Sequence, residues 1–247
     1  MAEEKRAPQG VALVIGAGDA TGGAIARRFA REGLVACVVR RSAEKLQPLV
    51  EQIEAGGGRA LGFASDARKE EQVVELVEKI EREVGPIEVL VFNIGANVPC
   101  SILEETARKY FKIWEMACLG GFLYGREAAR RMVTRGRGTI LFTGATASLR
   151  GSASFAAFAG AKHALRALAQ SMARELGPKN IHVAHVVVDG AIDTEFIREN
   201  FPDRYATRSD DGILKPEHIA DNYWYLHTQP RDAWTHELDL RPWREHW

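Results

Sequence analysis

Short apolar runs rich in β-branched residues alternate along this chain with longer stretches of helical periodicity, and no other feature limits its possible folds so tightly. VALVI (11–15) precedes an expected helix from about Thr21 to Glu32, and VACVV (35–39) precedes one across 43–55. RALGF (59–63) precedes the charged amphipathic stretch KEEQVVELVEKIEREV (69–84), and EVLVF (88–92) leads into a long helix over roughly 106–134. TILFT (139–143) is followed by a helix over 155–176, and IHVAHVVV (181–188) ends the series. These strands are nearly continuous in apolar residues, as a parallel sheet covered on both faces requires. The expected architecture is α/β: a doubly wound parallel sheet of about seven strands with helices on both faces.

The 247 residues suffice for one large domain, here residues 10–247 behind a polar tail at 1–9. Thirty-three basic and thirty-three acidic side chains cancel, so no strong field draws the chain to nucleic acid or to a membrane surface. No apolar run reaches the roughly 18 residues needed to cross a bilayer, and the start lacks the apolar core of a signal peptide, so a cytoplasmic location is expected. Cys37, Cys100 and Cys118 lie far apart without a C-x-x-C spacing and are expected to be reduced and mostly buried. The segment 193–212 (DTEFIRENFPDRYATRSDDG) is polar, weakly periodic and long for a connection. It follows the carboxyl end of a strand, where a lid over a site would lie.

Between the first strand and the first helix runs GAGDATGGAIA (16–26). Glycines in such a turn permit positive φ and let backbone amides approach a pyrophosphate, while the helix amino terminus adds partial positive charge. A dinucleotide site is the expectation.

These residues, with others at matching spacing, resemble the short-chain dehydrogenase/reductase family over nearly the whole chain. Gly16 and Gly22 match the first and last glycines of the family's T-G-x-x-x-G-x-G turn, with Gly18 between them, although Ile15 stands for the threonine and Ala20 for the middle glycine. Asp66 matches the adenine-binding aspartate, and Asn93 and Gly95 match part of N-N-A-G, with Phe92 replacing the first asparagine. DGAIDT (189–194) is similar to P-G-x-x-x-T with Asp189 for the proline, and LKPEHIA (214–220) to the start of the penultimate helix. The resemblance implies a Rossmann fold, a nicotinamide cofactor touched near its carboxamide by Ile192 and Thr194, a small-molecule substrate, and assembly as a homo-oligomer. At the end of the second strand, where NAD-preferring relatives carry an acid, stand Val39, Arg40 and Arg41. A guanidinium there suits a 2′-phosphate, so NADP(H) is expected over NAD(H), with Asp19 as the opposing sign.

In the family, a serine, a tyrosine, a lysine one helical turn after it, and an asparagine carry the proton chemistry. Lys162 sets the register here, and the other three places fall on Ala145, Phe158 and Ala117. A variant arrangement with its tyrosine seven residues before the lysine meets Phe155 instead. Phenylalanine has no proton to give and alanine cannot bond an oxyanion, losses commonly worth factors of roughly 10²–10⁴ each. Thr143, Thr146, Ser148 and Ser154 border the serine place and Tyr205 lies in the lid segment, but each reads first as a cap or turn residue. His163 should point away from the Lys162 face. His182 and His185 fall on opposite faces of a strand, which argues against a metal site. Lys162 is expected to hold the nicotinamide ribose, beside an apolar pocket lined by Phe155 and Phe158. Two functions fit: an oxidoreductase with an atypical proton path, or a non-catalytic dinucleotide sensor or inactive oligomer partner. Loss of even the cofactor, leaving a structural protein, is a third. The ending THELDLRPWREHW (235–247) departs from the family's V-D-G-G, and its Trp243 and Trp247 would anchor a subunit contact or close the pocket.

Overall fold

Each apolar run becomes a strand because both of its faces are buried. In the computed structural model, which describes residues 10–18 and 20–245, Val11, Leu13 and Ile15 pack into one core while Ala12 and Val14 pack into another on the opposite side of the sheet. The tail 1–9, Asp19 and Trp247 lie outside the described residues. In chain order the elements are β1 (Val11–Ile15), α1 (Thr21–Arg31), β2 (Val35–Arg40), α2 (Gln47–Ala55), β3 (Arg59–Ala64), α3 (Glu70–Glu83), β4 (Ile87–Phe92), α4 (Ala107–Trp114), α5 (Gly120–Arg135), β5 (Gly138–Thr143), α6 (Ala156–Leu176), β6 (Ile181–Val188), α7 (Glu195–Asn200), α8 (Pro202–Ala206), α9 (Pro216–Thr228) and β7 (Glu237–Leu240). The strands form one parallel sheet in the order β3-β2-β1-β4-β5-β6-β7. α3, α5 and α6 cover one face, and α1, α2 and α9 the other. Buried anchors such as Phe29, Phe92 and Phe142 each remove a large ring from water, worth roughly 2–3 kcal/mol apiece. Among the described residues no helix is long and apolar enough to cross a membrane.

Three local expectations change. The long helix expected over 106–134 is divided by a π turn, Glu115–Leu119, between α4 and α5. Ala117 and Cys118 of that turn are buried, and Ala117 packs against Ala157 and Ala161. The weakly periodic segment 193–212 holds α7, α8 and a short 3-10 turn. Finally, part of the divergent C-terminal sequence supplies β7. Leu238 and Leu240 of that strand pack on the α1/α9 core while Glu237 and Asp239 alternate with them. Trp243 is largely exposed, and its Nε1 donates to the Asp210 carbonyl at 2.9 Å, tying the tail to the end of the 193–212 segment.

Candidate functional site

Strand order reverses between β1 and β4, and a crevice opens at the carboxyl ends of the strands there, as expected at a switch point of this kind of sheet. The glycine turn forms its floor. Gly16 takes φ +83°, and a side chain there would bring a Cβ within 2.7 Å of the Asn93 carbonyl; at Gly22 a Cβ would stand 2.3 Å from the Gly16 carbonyl. Gly16 and Ala17 both donate to the Val39 carbonyl, at 3.0 and 3.3 Å, and Asn93 Nδ2 donates to the Gly16 carbonyl at 3.2 Å. Backbone therefore packs on backbone, which only glycine permits. At Gly18 a Cβ would meet nothing within 4 Å, so the turn faces open space at that point. α1 starts behind Ala20 with no side-chain cap and no acid in its first turn, leaving the amino terminus of the helix to a ligand. This end of the crevice fits a pyrophosphate.

Beyond the turn lies a cavity of about 310 Å³ lined by Gly18, Arg40, Arg41, Asp66, Arg68 and Gly95, among others. Val39 is buried, Arg40 is half-buried with Nη1 3.4 Å from the Lys45 carbonyl, and Arg41 is exposed. Arg68 forks the Asp66 carboxylate, with Nε 2.9 Å from Oδ1 and Nη2 2.5 Å from Oδ2, and its hydrogen bonds hold that carboxyl below the usual range. Asp66 thus lines this cavity but shares its carboxylate with a neighbouring guanidinium.

On the other side of Asn93 a second cavity of about 580 Å³ is lined by Ala145, Phe155, Phe158 and Ile192, with Phe196 and Phe201 facing them from the 193–212 segment. Phe155 and Phe158 line the pocket as expected from the sequence. Lys162 lines neither cavity wall. Its side chain is buried and Nζ donates to the Thr143 carbonyl at 2.8 Å and the Ile94 carbonyl at 3.1 Å, joining the ends of β5 and β4. Burial pulls its pKa down to about 8. The Phe158 ring lies 5.9 Å from that amine and offers it no proton partner. Ala117 is sealed in the π turn against Ala157 and Ala161. Thr194 caps α7, accepting from Ile197 N at 3.2 Å, and does not line the cavity; Ile192 pairs with Leu214 as an isolated bridge.

His163 is exposed and near its own helix carbonyl Ala159, as its helical position predicts. His182 meets the Thr235 carbonyl on one face of β6, while His185 meets Glu237 on the other, where burial drives its pKa down to about 4. Among the described residues no group of three or more His, Cys, Asp or Glu is placed to hold a metal. Cys37 and Cys118 are buried, Cys100 is half-buried, and all three are free.

The reading by residue type passed over the charged end of the second cavity. Asp189, fully buried at the end of β6, accepts from Thr146 Oγ1 and sits 3.3 Å from Arg150 Nη1. Arg204 pairs with Glu245 of the tail at 3.3 Å, and both line the same cavity. The available signal was an acid at the end of an eight-residue apolar strand, a place where an unpaired charge is costly.

A doubly wound sheet with an uncapped glycine turn at its switch point defines a dinucleotide-binding protein of the oxidoreductase type. Residues 10–204 match the family described as short chain dehydrogenase, and the chain belongs to that family. It is 32% identical over 176 residues to a short-chain dehydrogenase/reductase of Armillaria gallica, covering 70% of this chain and 67% of that one. It is 30% identical over 185 residues to the 2,3-dihydro-2,3-dihydroxybenzoate dehydrogenase of Bacillus subtilis, covering 75% and 70%. Among solved structures, a short-chain dehydrogenase from Rhodopseudomonas palustris superposes with a TM-score of 0.82 at 48% identity, over 96% of this chain and 100% of that one. A metagenomic short-chain oxidoreductase in complex with NADP gives a TM-score of 0.83 at 26% identity, over 97% and 99%.

Proposed function

We propose that this member of the family binds NADP(H) in preference to NAD(H) and transfers a hydride to or from a small molecule with an apolar body, by a proton path that uses no tyrosine, serine or asparagine at the usual places. When bound, the cofactor supplies or accepts the hydride at its nicotinamide ring. The observation that carries the reading is the unbroken crevice: an uncapped helix terminus, an adenosine-side cavity bearing Arg40 and Arg41, and a phenylalanine-lined cavity beyond Asn93. Arg40 and Arg41 offer guanidinium groups to a 2′-phosphate with no acid beside them on β2. The NADP complex of the metagenomic relative supports the same choice. Lys162 has two of its three N–H groups committed to carbonyls, which leaves one for a ribose hydroxyl. The segment 193–212 acts as the lid, with Phe196 and Phe201 as its inner surface. A homo-oligomer, in the cytoplasm, completes the reading.

Calorimetric titration with NADPH and NADH tests the cofactor part, and NADPH should bind at least tenfold more tightly. Equal affinity, or no binding at millimolar concentration, refutes it. A second reading, a dinucleotide sensor without turnover, draws on Ala145, Phe158 and Ala117 together with the internal bonds of Lys162. Bound cofactor with no hydride transfer across a panel of aryl alcohols, ketones and enones would favour it.

A further inference from the structure

We infer that Thr146 and Asp189 form the proton path of this site, Thr146 meeting the substrate oxygen and Asp189 exchanging the proton behind it. The inference rests on the reading that the crevice holds NADP(H) and a hydroxyl or carbonyl substrate. Thr146 follows Ala145 directly, opens the short 3-10 turn Thr146–Ser148, and lines the phenylalanine-walled cavity with Ala145 and Phe158. Its Oγ1 donates to Asp189 Oδ1 at 2.5 Å. With that proton directed at the carboxylate, the oxygen's lone pairs are free to accept from a substrate hydroxyl.

Asp189 has no exposed surface, and a carboxylate removed from water needs compensation. Arg150 provides part of it, with Nη1 3.3 Å from Oδ2 and Nη2 3.5 Å from Oδ1, and Arg241 stands 4.0 Å away. Arg150 also lines the cavity and keeps 37% of its side chain exposed, so the charge that compensates the buried acid comes from the cavity side. A purely structural plug at this turn would need no charge. A hydroxyl on the cavity wall, backed by a buried carboxylate in hydrogen-bond contact with it, is what a proton relay requires.

With NADP⁺ bound, the cofactor would take the electron pair of the carbinol C–H bond as hydride, so oxidation would consume one NADP⁺ and yield one NADPH. The substrate O–H proton passes to Thr146 Oγ1 as the proton already there passes to Asp189, and the carbon–oxygen double bond forms. Once the ketone has left, Asp189 would return the proton through Thr146 Oγ1 to water in the cavity, so each turn would convert a secondary alcohol and NADP⁺ to a ketone, NADPH and one proton. Thr146 is the catalytic residue here, and Asp189 acts through it.

The test compares wild type with Thr146→Val, Thr146→Ser and Asp189→Asn, using 1-(2-naphthyl)ethanol with NADP⁺ as the probe pair. Thr146→Val and Asp189→Asn should each lower kcat at least 100-fold, with NADPH affinity within twofold of wild type, while Thr146→Ser stays within about fivefold. A second readout needs no cofactor. By calorimetry, wild type and Thr146→Ser should bind the alcohol at least fivefold more tightly than 2-ethylnaphthalene, and Thr146→Val should bind the two equally. Cofactor binding without turnover by wild type, variants within threefold of wild type, or a preference for the alcohol that survives in Thr146→Val would each overturn the relay while leaving the cofactor reading standing. Failure of wild type to bind NADPH would instead remove that reading and the relay with it. Should Asp189→Asn fail to fold, Thr146→Val decides.

Discussion

The two ends of the crevice are built from different materials. At the turn after β1, the binding surface is backbone: Gly16 and Gly22 have no room for a Cβ, and the uncapped amides of α1 face outward. At the far end the surface is side chain: Phe155, Phe158, Phe196 and Phe201 form the walls, Ala145 leaves a bare patch, and the charges of Asp189 and Arg150 gather to one side. A site made of backbone depends on the turn's shape, so Ile15 and Ala20 can replace family residues without closing it. A site made of side chains changes its chemistry with each replacement. On the proposed reading, dinucleotide binding and proton transfer are therefore separable in this chain, and the following measurements break or sharpen that division.

The largest effect is expected at the backbone end. Gly22→Val forces a side chain into a space where even a Cβ stands 2.3 Å from the Gly16 carbonyl. It should abolish NADPH binding in calorimetry and cost about 3 kcal/mol in chemical denaturation. If NADPH still binds, the turn is not what holds it.

Lys162 joins the two ends, and its removal is next in size. Lys162→Met leaves the Thr143 and Ile94 carbonyls without their donor, a loss of roughly 1–3 kcal/mol for each buried group, offset in part by removing a buried charge. The pH dependence isolates the charge. The pKa falls from 10.5 in the unfolded chain to about 8 in the folded one, so the unfolded state binds more protons between those values. Below pH 8 the burial penalty is present in full, and it is relieved as pH rises toward 10.5, where wild type should gain about 3 kcal/mol relative to Lys162→Met. A flat difference between the two proteins over that range would mean that the amine keeps its ordinary pKa in the fold.

At the side-chain end, the double variant Phe158→Tyr with Ala145→Ser supplies the phenol and hydroxyl that the cavity lacks. Phe158 already lines the cavity with its ring 5.9 Å from the lysine amine. Reduction of 2-acetonaphthone by NADPH should rise about 100-fold with cofactor affinity unchanged. No gain would mean that the pocket presents substrates elsewhere.

A smaller effect is expected at Arg41, exposed where it lines the cavity beside the glycine turn. Arg41→Glu should weaken NADPH about tenfold by titration and leave NADH nearly unchanged. The smallest belongs to the segment 193–212. Arg204→Ala loses a 3.3 Å pair with Glu245 in which Arg204 is mostly exposed, so stability should move by no more than about 1 kcal/mol. Faster proteolysis within 193–212 would reveal its loss.

Much of this molecule was legible from pattern. Six strands and the helices between them follow from runs buried on both faces, because a continuous apolar stretch bounded by turn residues has few other places to go. β7 escaped because ELDL is short and alternates as an edge strand does, and its pairing with β6 is a long-range contact with no local signature. The π turn escaped because Glu115–Leu119 reads as ordinary helix; the widening shows only against the packing of Ala117 on α6. At the site, the lysine register located Phe158, Ala145 and Ala117, since residues four apart share a helix face. Thr146 was weighed as a turn residue and Asp189 as a replaced proline, and neither could be read as half of a pair.

The sequence alone determined the parallel order of layers, the glycine turn, and the absence of a phenol where Lys162 would activate one, because periodicity and residue chemistry are local properties. The partners of buried charge were decided only by the tertiary structure. Lys162 turns to two strand-end carbonyls, and Asp189 is met by Thr146 from 43 positions earlier in the chain and by Arg150 from 39. A group taken out of water must find its partner across whatever distance along the chain the fold has closed, and that distance is not encoded in its neighbours.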